Sequence, residues 1–129
     1  MERIIKFLDE AGVFFFATVD GNKPRVRPFG FKMIYDGKLF FGIGTKSKQS
    51  CKQLEANPEV EICACKGPAW MRIKGTAKFV DDAAAVDEAY KVLPLLAQLY
   101  PDKSNYALFY LDNLDVELAD MQGGFEKLF

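Results

Sequence analysis

The chain opens with a helical pattern. In MERIIKFLDEAG, Ile4, Ile5 and Leu8 fall on one face and Gly12 supplies a stop, which predicts a short helix that packs on something larger. The period then shortens. VFFFATVDGNK is aromatic and β-branched and runs into the turn signal Asp20-Gly21, and PRVRPFGFKMIYDGKLFFGIG supplies two more strands around Asp36-Gly37. These three strands are expected to meander antiparallel. The stretch GIGTKSKQSCKQLEANP, Gly42 to Pro58, reads as loop and helix ended by Asn57-Pro58. EVEICAC and AWMRIKGTAKFV follow as strands that turn through KGP. DDAAAVDEAYKVLPLLAQLYP is helical, capped by Asp81 or Asp82 and broken at Pro94, and NYALFYL and DVELADM close the chain as two late strands.

Antiparallel strands with hairpin turns, interrupted by helices that cross or cap, predict a mainly β protein: a small closed barrel with flanking α-helices. The imperfect alternation in VFFFATV fits a strand covered on both faces, one cover being a second subunit. No linker or repeat divides residues 1–129, so one domain is expected.

Composition narrows the chemistry. Seventeen basic and eighteen acidic residues leave a net charge of −1, which gives no general attraction to nucleic acid or to an anionic membrane surface. Any anion site must be local. The chain has no histidine, which removes the commonest general base and every Ser-His or Cys-His nucleophile in its usual form. Its three cysteines, Cys51, Cys63 and Cys65, are an odd count with no secretory signal ahead of them, and a reducing cytoplasm is expected. Cys63 and Cys65 share one strand face, but no partner ligands accompany them, so buried structural thiols are expected rather than a metal or redox pair.

Three clusters carry candidate chemistry. Thr45, Lys46, Ser47 and Lys48 lie between a strand and a helix start, where open N–H groups, a positive dipole end, hydroxyls and lysines make a site for a phosphate dianion. The competing reading has Ser47 or Thr45 as a helix cap and Lys48, Lys52 and Glu55 as a solvated stripe opposite Cys51 and Leu54. In PRVRPFGF, Arg25 and Arg27 share a face and need an anion, a carboxylate or solvent, while Pro28 implies an edge strand or a bulge. Gly30 leaves the backbone there open to a flat ligand. Trp70, the single tryptophan, starts a strand beside Pro68 and serves a ring-shaped ligand, the core or a subunit contact. Arg72 shares its face and has carboxylates as alternative partners. The remaining acids, Asp81, Asp82, Asp87 and Glu88, fit a helix start and its exposed side, and GIGTKSK lacks the glycine spacing of a P-loop or a dinucleotide fold.

The ordered series FFFATVDGNKPRVRPFGF, DGKLFFGIGTKSKQSCKQLEANPEVEICA and WMRIKGTAKF resembles the pyridoxamine 5′-phosphate oxidase-like, FMN-binding split-barrel proteins over Val13 to Val80. The resemblance implies a six-stranded antiparallel split β-barrel that dimerises, with FMN in clefts between the subunits. Arg25, Val26, Arg27 and Pro28 match the strand along the flavin, and Thr45, Lys46, Ser47, Lys48 and Gln49 match the phosphate segment. Trp70 matches a position reaching the flavin from the other subunit. The vitamin B6 oxidase itself ends in a segment with arginine and histidine that this chain lacks, and Met121 stands before Gln122-Gly123 where the family often has tryptophan. The resemblance therefore points to the small-subunit branch. Its implied activity passes electrons from a reduced nicotinamide donor to a small aromatic or quinone-like acceptor. The alternatives are a barrel that holds FMN, or another flat anionic ligand such as haem or a deazaflavin, as storage or as a sensor without turnover, or a ligand-free structural dimer whose basic residues pair with carboxylates. The missing histidine argues against a His-ligated haem.

Overall fold

The computed structural model describes residues 1–129. Helix α1 (Glu2–Ala11) buries Ile4 and Leu8 and ends where Gly12, at φ 81°, donates its N–H to Leu8 O. Strands β1 (Phe14–Asp20) and β2 (Lys23–Phe29) form the first hairpin, β3 (Met33–Tyr35) and β4 (Lys38–Ile43) the second, with Asp36 and Gly37 both at positive φ between them. That pair matches a primed two-residue turn, whose twist suits a tight hairpin. Then follow α2 (Gln49–Ala56), β5 (Glu59–Lys66), β6 (Ala69–Val80), α3 (Ala83–Val92), the single turn α4 (Leu96–Leu99), β7 (Ala107–Asp120) and β8 (Phe125–Lys127). Asp82 caps α3 through the N–H groups of Ala84 and Ala85, and the helix breaks before Pro94, as its sequence predicts.

The sheet order is β2-β1-β5-β6-β7-β4-β3, all antiparallel, with β8 added to β7. Phe14 and Phe16 from β1 meet Phe41 from β4 at 5.5 and 6.1 Å between ring centroids, although these strands lie four places apart in the order. The sheet therefore curls until its ends face each other across one aromatic core, while β2 shares no ladder with β3 or β4. The fold is a split antiparallel barrel. No helix is long and apolar enough to cross a membrane.

Three expectations need correction. The first three strands do not meander side by side: the chain leaves β2 at Phe29, and the two hairpins lie at opposite edges of the sheet. The two late strands are one, β7, whose fourteen residues bend at Asn113 (φ 54°) opposite a register shift between Lys74 and Thr76. Gly75 makes the bend possible, because a Cβ there would press on Asp112 O and Leu111 Cβ at 3.0 Å. The strand count is eight where the resemblance implied six: the run through Phe29 and Met33 divides into β2 and β3, and the three-residue β8, too short for a periodic signal, is added at the end of the chain.

Candidate functional site

The split exposes the inner face of β2. Pro24 and Pro28 cannot donate to a ladder, and β2 is an edge strand, as Pro28 implied. Arg25 and Arg27 lie opposite Thr18 and Phe16 and so share the inner face. Their partners differ. Arg25 Nε donates to Asp20 Oδ2 at 3.1 Å, a half-exposed ion pair. Arg27 has no carboxylate: Nη1 donates to Thr18 Oγ1 at 2.9 Å and to Phe16 O at 3.4 Å, and Nη2 donates to Gln53 Oε1 at 2.8 Å. Thr18 Oγ1 donates to the same Gln53 oxygen at 2.6 Å, tying α2 to the barrel wall. Burial, and then the charge of Arg25, hold the Arg27 guanidinium below its ordinary pKa. Neutral acceptors orient this cation and leave its charge uncompensated.

Helix α2 brings a second positive feature. Lys48 occupies its N-cap position and makes no side-chain cap, and neither Thr45 nor Ser47 caps the helix. The N–H groups of Cys51 and Lys52 turn back to Lys48 O, whereas those of Gln49 and Ser50 have no acceptor in the protein. An uncapped helix start with a free lysine at its mouth favours a negative charge. Lys46 is different, since its N–H is engaged by Asn105 through the backbone O at 3.0 Å and Oδ1 at 3.3 Å.

A cleft of about 610 Å³ opens at the split between the end of β2 and the end of β4. Arg27, Lys48 and Ser50 give its polar part; Phe29, Phe31, Leu93, Leu96 and Leu99 give its apolar part. Gly42, in β4, and Gly44, just past its end, let Tyr106 and Tyr100 press on the backbone: a Cβ would fall 2.1 Å from Tyr106 Oη at the first position and 2.1 Å from Tyr100 Cε1 at the second. The volume is in the ordinary range for a small-molecule site.

Of the residues singled out from the sequence, Arg27, Pro28, Lys48 and the open backbone at Gly30 line this cleft. Arg25 and Val26 sit one turn of the pleat nearer the hairpin end of β2, and Thr45, Ser47 and Gln49 flank Lys48 outside the lining. Lys46 faces a separate, charged hollow with Asp81, Asp82 and Lys103. Trp70 pairs with Cys65 and Ala119, three strands from β2, or roughly 14 Å at ordinary strand spacing. Arg72 does pair with carboxylates, Glu117 at 3.6 Å and Glu61 at 3.9 Å. The expectation of buried thiols at Cys63 and Cys65 is corrected: Cys63 is half-buried and Cys65 exposed, because both face outward from β5, whereas Cys51 on α2 is buried. Sequence reasoning missed Thr18, Gln53, Ser50 and the two tyrosines. Gly42 and Gly44, alternate glycines at the end of an apolar strand, were the available signal for close approach by another group.

The cleft lies at the barrel split, floored by β4 and edged by the basic start of α2. Residues 1–118 match the family model described as pyridoxamine 5′-phosphate oxidase. The chain belongs to the pyridoxamine 5′-phosphate oxidase family. Within the solved structures of similar fold, a NimC/NimA family protein from Clostridium acetobutylicum is 33% identical, with a TM-score of 0.92 over 98% of this chain and 90% of that one. A pyridoxamine 5′-phosphate oxidase-related, FMN-binding protein from Nostoc punctiforme PCC 73102 is 17% identical, with a TM-score of 0.70 over 99% and 95%. An FAD-binding protein from Mesorhizobium loti is 17% identical, with a TM-score of 0.64 over 92% and 94%. At that identity the last two speak for the fold. No curated protein matches the chain.

Proposed function

We propose that this member of the pyridoxamine 5′-phosphate oxidase family is an FMN-dependent oxidoreductase. In this reading it works as a cytoplasmic homodimer and passes electrons from a reduced nicotinamide donor to a small aromatic or quinone-like acceptor. One observation carries the cofactor: Arg27 and Lys48 line the same cleft with no carboxylate on either. A ligand-free structural role would call for acidic partners at both. Arg25 has one, and these two do not.

The donor set fits a phosphate monoester. Arg27 supplies a guanidinium fork already held in place by Thr18 and Gln53, Lys48 a mobile ammonium, and Gln49 and Ser50 two free N–H groups. Thr45 and Ser47 add hydroxyls beside them. Arg25, Val26 and Pro28 continue the edge strand along which a flat ring can lie, with Gly30 offering bare backbone. FMN, when bound, supplies the redox chemistry, which needs no histidine from the protein. The chain's own groups bind, orient and desolvate.

The second subunit is supported by the outer face of β2 and β1. Val26 is 69% exposed and Phe15 48%, with Val13 beside them, an apolar surface that a soluble chain covers with something. Trp70 is remote from its own cleft and is assigned to the partner's. The FMN-binding relative from Nostoc supports the single-phosphate cofactor, and the short basic segment, without a second anion site in the cleft, favours FMN over FAD.

The decisive experiment is an absorption spectrum of the purified protein before and after adding FMN and removing the excess. Retained flavin bands that bleach with NADH or NADPH and return with a quinone support the whole reading. Retained flavin that no nicotinamide reduces leaves a binding protein without this turnover. A colourless protein that rejects FMN removes the cofactor.

A further inference from the structure

The cleft contains two hydroxyls that the anion site does not use. Tyr106 is 3% exposed, yet its Oη makes no hydrogen bond within the protein and is not sealed from solvent. That oxygen lies against Gly42, and both residues line the cleft, which places the hydroxyl at the cleft wall, while Tyr106 also borders the charged hollow of Lys46 and Asp82. Tyr100 Oη is also without a protein partner, and its ring lies over Gly44 next to Tyr106, at 5.8 Å between centroids. The contrast is Tyr90, whose hydroxyl is spent on Tyr100 O at 2.5 Å. Edge contacts with Phe31 and Tyr90, at 6.3 and 5.7 Å, fix the Tyr106 ring. A rigid, almost wholly buried ring with an unpaired donor facing a cavity is a costly arrangement unless a ligand or water completes it.

We propose that Tyr106, flanked by Tyr100, is the hydrogen-bond donor that orients an acceptor oxygen, a quinone carbonyl in particular, in the apolar end of the cleft. This deepens the oxidoreductase reading and rests on it for the choice of an oxygenated ring as the occupant. The chemistry of the lining restricts that occupant in three ways. Burial, with Tyr100 and Tyr90 nearby, raises the Tyr106 pKa, so the hydroxyl is a donor throughout the physiological range. The cleft lining holds Arg27 and Lys48 and no carboxylate, which disfavours a cationic ligand. Phe31, Leu93, Leu96 and Leu99 offer an apolar bed to the body of the molecule. A neutral or anionic ring bearing an oxygen acceptor satisfies all three, whereas a protonated amine offers Tyr106 no acceptor and meets Arg27 and Lys48 with like charge.

The test uses the dimeric, FMN-loaded protein, its Tyr106→Phe variant and 1,4-naphthoquinone as the probe. Flavin retention is read first by absorbance. Quinone affinity is then measured by equilibrium dialysis, and the carbonyl stretch of bound carbon-13-labelled quinone by infrared difference spectroscopy. Losing one neutral hydrogen bond corresponds to quinone binding about fivefold weaker in Tyr106→Phe. The carbonyl band is expected below its solution value in the parent protein and closer to it in the variant, with FMN affinity and thermal midpoint unchanged, because the hydroxyl has no protein partner to lose. Gly42→Ala, whose new methyl displaces that hydroxyl, is expected to weaken the quinone in the same way. Equal quinone affinity and an unshifted band in Tyr106→Phe overturn the proposal, as does a variant that loses FMN instead of quinone. If the parent protein rejects FMN, the cofactor reading fails separately. Dialysis of the flavin-free protein then decides: quinone binding that depends on Tyr106 upholds the donor site, and its absence overturns it.

Discussion

Arg27 and Arg25 are two residues apart on one strand face, and their unequal partners give an unequal forecast. Replacing Arg27 with Met keeps the aliphatic stem and removes the fork. The flavin-free protein loses the bonds to Thr18 and Gln53 and the long one to Phe16 O, but Thr18 and Gln53 keep the 2.6 Å bond between them, so neither of those side chains is orphaned. Charge-assisted bonds are worth about 1.5–3 kcal/mol each before the cost of desolvating the guanidinium is set against them. Relief of that cost and of repulsion from Arg25, the two causes of its lowered pKa, returns much of this. We expect a net loss of about 1 kcal/mol in urea unfolding, or about 3–5 °C in thermal midpoint. Flavin affinity should suffer far more, since a fork aimed at phosphate contributes about 2–4 kcal/mol, a loss of roughly 30- to 1,000-fold. Arg25→Ala removes an exposed pair with Asp20, for which about 0–1 kcal/mol is ordinary, and is expected to weaken FMN by less than about fivefold. The assay is quenching of flavin fluorescence on titration with protein, beside urea unfolding of the flavin-free forms. Comparable losses for the two variants would refute the argument from partners. So would an Arg27→Met protein that binds FMN normally.

Two further outcomes follow from exposure and burial. Val26→Asp places a charge on the proposed subunit face at a side chain 69% exposed in the single chain, so folding should be intact while sedimentation shows monomer at micromolar concentration; a persistent dimer would move the interface elsewhere. On the alkaline side, burial, then Glu55, lifts the Cys51 thiol from its ordinary 9.0 to about 11. Between those values the unfolded chain has released a proton that the folded chain still holds, so stability is fully present below pH 9 and declines toward pH 11. Tyr90 and Tyr106, also raised by burial, extend the decline. Cys51→Ala should flatten the first part of that slope in urea titrations at stepped pH, and an unchanged slope would assign it to the tyrosines alone.

What was legible in the sequence was local. Helix stops at Gly12 and Asn57, the cap at Asp82, the turn at Asp36-Gly37 and the edge character forced by Pro28 each depend on a few adjacent residues, and each is present. Pairing across the chain was not. Nothing in FGFKM announces that β2 and β3 part company and go to opposite edges, because both segments alternate as strands do and only closure of the barrel separates them. The same limit hid the tyrosines: Tyr100 and Tyr106 sit about sixty positions from Gly42 and Gly44, and only tertiary pairing brings them together, the β4–β7 ladder setting Ala107 opposite Ile43.

The place where that long-range pairing fails is also where the charge collects. A closed barrel would bury the inner face of β2 against a neighbouring strand, and Arg27 there would need a carboxylate or be excluded by its desolvation cost. Leaving the barrel open at β2 lets water, or a ligand, meet the guanidinium, while Thr18 and Gln53 hold it without cancelling it. The architecture thus explains why a nearly neutral chain keeps two cations without carboxylate partners, Arg27 and Lys48, at one edge: the split is the part of the inner wall where an unpaired cation costs least.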